Sequence, residues 1–179
     1  MCLCERDCLP PTPLSDHPPS PLTGRVWLVG AGPGDAGLIT VRGRALLERA
    51  DVVVYDRLVG AELLTFTRPD AELIDVFKTP GQHTLPQDQI HDLLIERARD
   101  GKEVVRLKGG DPFVYGRGWE EIEACYLAGV PCEVVPGVSS AIGVPTGAGI
   151  PLTLRGQAST VSLVTPSVGK GLPARELPY

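Results

Sequence analysis

The sequence predicts an α/β fold, a mostly parallel sheet flanked by helices. Short apolar, β-branched runs alternate with stretches of helical periodicity from Arg25 to Thr165. Most of those apolar runs end in glycine or aspartate turns, as strands of βαβ units do. The chain has 179 residues, 42% hydrophobic and 22% charged, enough for one ordinary α/β domain plus part of a second.

The elements follow in order. Residues 1–23 hold Pro10, Pro11, Pro13, Pro18, Pro19 and Pro21, which interrupt any helix or central strand, so a disordered proline-rich tail is expected there. VWLVG (26–30) is a short buried strand ending in glycine. VRGRALLERA (41–50) has helical spacing, with Thr40 as N-cap. DVVVYD (51–56) is a β-branched strand, GAELLTF (60–66) a short helix, and AELIDVF (71–77) an alternating strand. QDQIHDLLIERARDG (87–101) is an amphipathic helix stopped by Gly101. EVVRLKGGD (103–111) runs from strand into a glycine turn. WEEIEACYLAG (119–129) is a helix, PCEVVPG (131–137) a strand, and SSAIGVPTGAG (139–149) begins as a helix. STVSLVT (159–165) completes the pattern as a last strand. The expected organisation is a first α/β domain over 24–138, then a linker helix and the incomplete start of a second domain over 139–179.

Composition excludes several functions. A net charge of −5 argues against a general nucleic-acid binder. The start, MCLCERDCLPP, has no apolar core of a signal peptide. The uncharged run 134–154 is long enough to raise a membrane question, but its glycines and prolines disfavour a lipid-exposed helix. A cytoplasmic protein with no membrane partner is the expectation. The five cysteines form no even disulfide framework. Cys2, Cys4 and Cys8 lack partners at zinc spacing apart from His17, so no metal site is assigned.

In a parallel sheet the carboxyl ends of the strands share one edge, where ligands bind. The segments there are Gly30–Asp35, Asp56–Leu58, Lys78–Gly81, Gly109–Pro112 and Pro136–Ser140. They hold many of the chain's glycines, with Asp56, Lys78 and Asp111.

The first segment, LVGAGPGD (28–35), half matches a dinucleotide fingerprint. Gly30 and Gly32 fit, but the third position is Asp35, whose carboxylate would face a pyrophosphate. Pro33 removes a backbone donor, and the next helix starts only near Thr40. Three alternatives stand: a Rossmann-type dinucleotide oxidoreductase, a tight turn with no ligand, or close backbone packing on a neutral or cationic ligand. LKGGDPF (107–113) repeats the theme, and Gly-Asp-Pro chemistry also makes turns unaided.

VWLVGAGPGDAGLITVRGRALLERADVVVYDRLV, VVRLKGGDPFVYGRG, VVPGVSSA and AGIPLT together resemble the uroporphyrinogen-III C-methyltransferases of the tetrapyrrole methylase fold, from about residue 25 to residue 165. The resemblance implies methyl transfer from S-adenosylmethionine to two ring carbons of uroporphyrinogen III, giving precorrin-2 for sirohaem and cobalamin biosynthesis. It implies a donor site between two α/β domains, and a homodimer. Carried over by motif, Pro33, Gly109, Gly110, Asp111, Val114, Ser139 and Ser140 line the donor, Asp56 accepts a proton and Lys78 donates one. Asp35 suits a sulfonium cation better than a pyrophosphate. Arg42, Arg57, Lys78, Arg106, Lys108 and Arg117 are candidates to pair with the substrate's carboxylates, the alternative for each being a solvated surface charge.

Departures from the family are specific. VGKRAG reads VFKTPG (76–81), GRGGEE reads GRGWEE with Trp119 in a glycine position, LTHR reads LTLR (152–155), and VTGH reads VTPS (164–167). Later donor contacts from a methionine and a glycine of a second domain have no counterpart, since the one methionine is Met1. A truncated enzyme, or a non-catalytic remnant of one, is therefore expected.

Overall fold

The computed structural model describes residues 24–77 and 85–165. The proline-rich start and the last fourteen residues lie outside the described residues, and so does the loop that holds Lys78.

Five strands form one sheet: β1 (Arg25–Gly30), β2 (Val52–Tyr55), β3 (Glu72–Asp75), β4 (Glu103–Lys108) and β5 (Cys132–Val135). Their order across the sheet is β3-β2-β4-β1-β5, and every pairing is parallel. Among the described residues four α-helices accompany them: α1 (Val41–Leu47), α2 (Gln87–Arg99), α3 (Gly118–Leu127) and α4 (Ser140–Gly147). The predicted α/β class is thus the observed one.

Side chains alternate across the strands and split the core in two. Trp27, Val29, Val53, Val105, Leu107 and Val135 face Leu46 and Leu47 of α1 and Leu63 of a short 3-10 helix (Ala61–Phe66). Val26, Leu28, Val52, Val54 and Val104 face Ile90, Leu94 and Ala98 of α2 and Cys125 of α3. Connections after β1 and β2 therefore cover one face, and those after β3 and β4 the other. β4 lies between β1 and β2, yet its chain leaves to the opposite face. That reversal is the topological switch at which open α/β sheets take ligands.

Local chemistry fixes the helix starts. Thr40 Oγ1 accepts from Gly43 N at 3.0 Å and caps α1, a cap of the kind worth about 1 kcal/mol. Ser139 Oγ accepts from Ala141 N at 3.3 Å and caps α4.

Three expectations change. A second 3-10 helix, Ala36–Leu38, stands between the first glycine loop and α1. The segment 60–66 is 3-10 rather than α-helical. STVSLVT is not a strand: residues 159–165 are irregular, with Val161, Leu163 and Val164 exposed. The β-branched composition suits a strand, but no ladder among the described residues receives it. A single antiparallel bridge, Leu154 to Ala158, closes a turn just before it.

Among the described residues no helix is long and apolar enough to cross a membrane, and no group of three or more His, Cys, Asp or Glu side chains is arranged to hold a metal ion. Cys125 and Cys132 are free thiols.

Candidate functional site

The carboxyl edge is built by glycine loops that touch. After β1, Gly32 and Gly110 exchange backbone hydrogen bonds: Gly110 N donates to Gly32 O at 2.8 Å, and Gly32 N to Gly110 O at 3.2 Å. A Cβ on Gly30 would lie 2.5 Å from Gly137 Cα, and one on Gly137 would lie 2.2 Å from Gly110 O. Only glycine permits that approach. Gly110 also nears Ser139 and Ser140, whose backbone a Cβ there would meet at 3.8 and 4.0 Å. A Cβ on Gly143 of α4 would meet Pro33 Cγ at 2.7 Å. The loop after β2 joins through Gly60, where a Cβ would approach Gly34 O to 2.9 Å, and through Leu58, which abuts Gly109.

Asp111 fastens two loops together. Its Oδ2 accepts from Gly137 N at 3.0 Å and its Oδ1 from Phe113 N at 2.8 Å. Val114 N closes the turn onto Asp111 O at 3.3 Å. Tyr115 and Arg117 beyond it hold φ of 55° and 56°, left-handed values that cost non-glycine residues energy and concentrate at functional loops.

Beneath this edge lies a buried charged cluster. Arg106 and Lys108 alternate on β4 and so point to the same face, where α3 presents Glu121. Arg106 Nε donates to Glu121 Oε1 at 3.1 Å. Lys108 Nζ lies 2.8 Å from Glu121 Oε2 as an ion pair, without hydrogen-bond alignment. Arg106 also reaches Asp56 Oδ2 through an N–H of its NH2 group at 3.4 Å, and Asp56 Oδ1 accepts from Leu58 N at 3.0 Å. The Asp56 side chain keeps 26% of its surface exposed, against 0% for Glu121. Burial and the Arg106 cation push the Lys108 ammonium below the usual lysine range, while Glu121 and Asp56 pull the other way.

The family is decided by a match over residues 25–177 to the family described as Tetrapyrrole (Corrin/Porphyrin) Methylases. The chain belongs to the tetrapyrrole methylase family. It is 58% identical over 142 residues to siroheme synthase 2 of Pectobacterium atrosepticum, a match spanning 79% of this chain and 31% of that one. It is 54% identical over 160 residues to siroheme synthase 1 of Aeromonas hydrophila, spanning 89% and 35%. Among solved structures, a uroporphyrin-III-C-methyltransferase from Thermus thermophilus superposes with a TM-score of 0.66 at 47% identity, covering 74% of this chain and 56% of the other. The Thermus thermophilus enzyme complexed with S-adenyl homocysteine gives a TM-score of 0.62 at 46% identity, covering 76% and 53%. The chain thus spans about a third of the length of these curated relatives and about half of these structural neighbours.

The fold brings the family-motif residues of this chain together. Pro33, Gly109, Gly110, Asp111, Val114, Ser139 and Ser140 all sit on the converging loops, with Asp56 at their flank. Lys78 lies outside the described residues. One physical expectation needs correction and another gains a local detail. Asp35, exposed, accepts at Oδ1 from Gly37 N at 2.8 Å and so also caps the 3-10 helix. Arg106 and Lys108 are not available to substrate carboxylates, because both are buried against Glu121. Arg42 is engaged by Glu133 at 2.7 Å and lies over the Trp27 ring, and Arg117 pairs with Glu120 through both prongs. Arg57 stacks on Phe77 at 4.9 Å and makes no ion pair among the described residues.

Glu121 escaped the sequence reading, although two signals pointed to it. It stands four residues before buried Cys125 on the core stripe of α3, and Arg106 and Lys108 share the strand face that stripe covers.

Proposed function

We propose that this chain binds S-adenosylmethionine on the converging glycine loops and takes part in C-methylation of uroporphyrinogen III to precorrin-2. The observation that carries the reading is the meeting of three strand-end loops beside a partly exposed carboxylate, Asp56, in a chain that superposes over 74% of its length, at 47% identity, on a uroporphyrin-III-C-methyltransferase.

The loop chemistry favours this donor over a dinucleotide. The Ala31, Gly32 and Gly37 N–H groups are already engaged by Lys108 O, Gly110 O and Asp35. Pro33 has none. A pyrophosphate would find those three N–H donors of the first loop already taken. A Cβ at Gly34 would meet nothing within 4 Å, so the loop opens onto free space.

When bound, the donor supplies an activated methyl group on a sulfonium centre. The chain's residues supply position and proton transfer. Pro33, Gly109–Asp111, Val114, Ser139 and Ser140 hold the donor against the sheet edge. Asp56, fixed at both oxygens, takes the proton that the macrocycle loses, at a position other than the newly quaternary ring carbon, once that carbon is methylated. Lys78, which lies outside the described residues, is carried over from the family resemblance as the proton donor. Arg57, adjacent to Asp56, meets a substrate carboxylate. A homodimer, drawn from the family resemblance, and a cytoplasmic location, drawn from the composition, are part of the same reading.

The test incubates the full chain with uroporphyrinogen III and methyl-labelled S-adenosylmethionine, then reads the mass of the tetrapyrrole product after air oxidation. One and two added methyl groups are expected. Asp56→Ala should lower the rate by about 100-fold or more, the range of a lost general base, with S-adenosylhomocysteine affinity held. An unchanged rate in Asp56→Ala removes Asp56 from its role. Absence of labelled product from the native chain defeats the proposed activity.

A further inference from the structure

We propose that Glu121 is a positioning residue for Asp56, acting through Arg106. The inference rests on the reading of Asp56 as the proton acceptor, and it asks how that carboxylate is aimed.

Arg106 is a rigid plane held on three sides. Its Nε meets Glu121 Oε1 at 3.1 Å, its NH1 meets Val54 O at 3.4 Å and Leu107 O at 3.2 Å, and its NH2 meets Asp56 Oδ2 at 3.4 Å. A guanidinium cannot move one prong without moving the others. The position of Glu121 therefore sets where the Asp56 end points. Leu58 N fixes the other oxygen of Asp56. The carboxylate is left with one orientation and one open side.

Neutralisation alone does not explain the arrangement. Arg106 and Lys108 carry two positive charges, Glu121 and Asp56 two negative ones, and three of the four side chains are nearly or wholly buried. Apolar side chains of similar volume fill such space at no loss of stability, often with a gain. What they cannot do is hold the plane of Arg106. Gln87 of α2 adds a contact to Glu121 Oε1 at 3.3 Å, and His91 touches Gln87 at 3.2 Å, so the far end of the network is anchored on a second helix.

Two double variants separate aim from charge. Glu121→Gln with Lys108→Met restores neutrality and keeps an acceptor for Arg106 Nε. Glu121→Leu with Lys108→Met restores the same neutrality and removes the acceptor. Both are made in the full chain, and crystal structures and methyl-transfer kinetics are compared. The Gln pair should keep the Arg106–Asp56 contact and a kcat within about threefold of native. The Leu pair should lose the contact and about 100-fold in kcat, the cost of an ångström of misplacement, with KM unchanged. Arg106→Lys keeps the charge but cannot reach both carboxylates, and should displace Asp56 in the same way; it serves if the Leu pair does not fold. Asp56 unmoved in the Leu pair, or in Arg106→Lys if the Leu pair does not fold, overturns the inference, as do equal rates in the two pairs. If the native chain transfers no methyl group while Asp56 moves as expected, the proposed activity fails and the positioning role stands.

Discussion

Replacing Gly137 by alanine tests whether the strand-end loops close on one another as described. The new Cβ would lie 2.2 Å from Gly110 O and 2.7 Å from Gly30 Cα. Ordinary contact begins near 3.4 Å, so these backbones must part by more than an ångström. Neither can yield by rotating a side chain. The Gly32–Gly110 hydrogen-bond pair and the Asp111–Gly137 bond would open with them. Overpacking costs about 1–3 kcal/mol, and backbone neighbours place this case at about 3. For a chain of this size that lowers Tm by roughly 6–12 °C. Calorimetric unfolding reads the melt, and titration with S-adenosylhomocysteine reads the site, where affinity should fall at least about tenfold. Gly147→Ala is the control: a Cβ there meets nothing within 4 Å at the end of α4, and Tm should hold or rise by a few degrees. If Gly137→Ala melts within about 2 °C of the native chain and binds the ligand unchanged, the loops do not meet as stated.

Two further predictions concern the interior and the rim. Lys108 has a folded pKa below its unfolded one, so the unfolded chain holds more protons on this group between those values. Its contribution to stability should therefore rise with pH through the window below the usual lysine value and reach its full level above it. The difference in unfolding free energy between the native chain and Lys108→Met should become more favourable to the native chain as pH rises through that window; a flat or falling difference refutes the buried placement. Trp27 is 5% exposed and Trp119 is 65% exposed. Acrylamide should quench Trp119 alone, and Trp119→Phe should leave a fluorescence that resists quenching; quenching that survives the substitution contradicts these exposures.

The parallel sheet was legible because β-branched runs such as DVVVYD and EVVRLK have few other stable uses, and because glycine stops mark where strands end. The site followed from one topological rule, since every strand's carboxyl end shares an edge. What stayed hidden was the direction of charged side chains. Arg106 and Lys108 look like surface residues by type, and only strand alternation against Glu121 shows that they face inward. The cap made by Asp35 also stayed hidden, although a carboxylate two residues before a free N–H commonly makes one. STVSLVT misled because strand propensity measures fit to a neighbouring ladder, which the sequence of one strand cannot supply.

The most direct test of the account is a calorimetric titration of the chain with S-adenosylhomocysteine and, separately, with NAD. The account predicts saturable binding of S-adenosylhomocysteine that weakens in Gly137→Ala, and no binding of NAD. Binding of NAD without S-adenosylhomocysteine would contradict it.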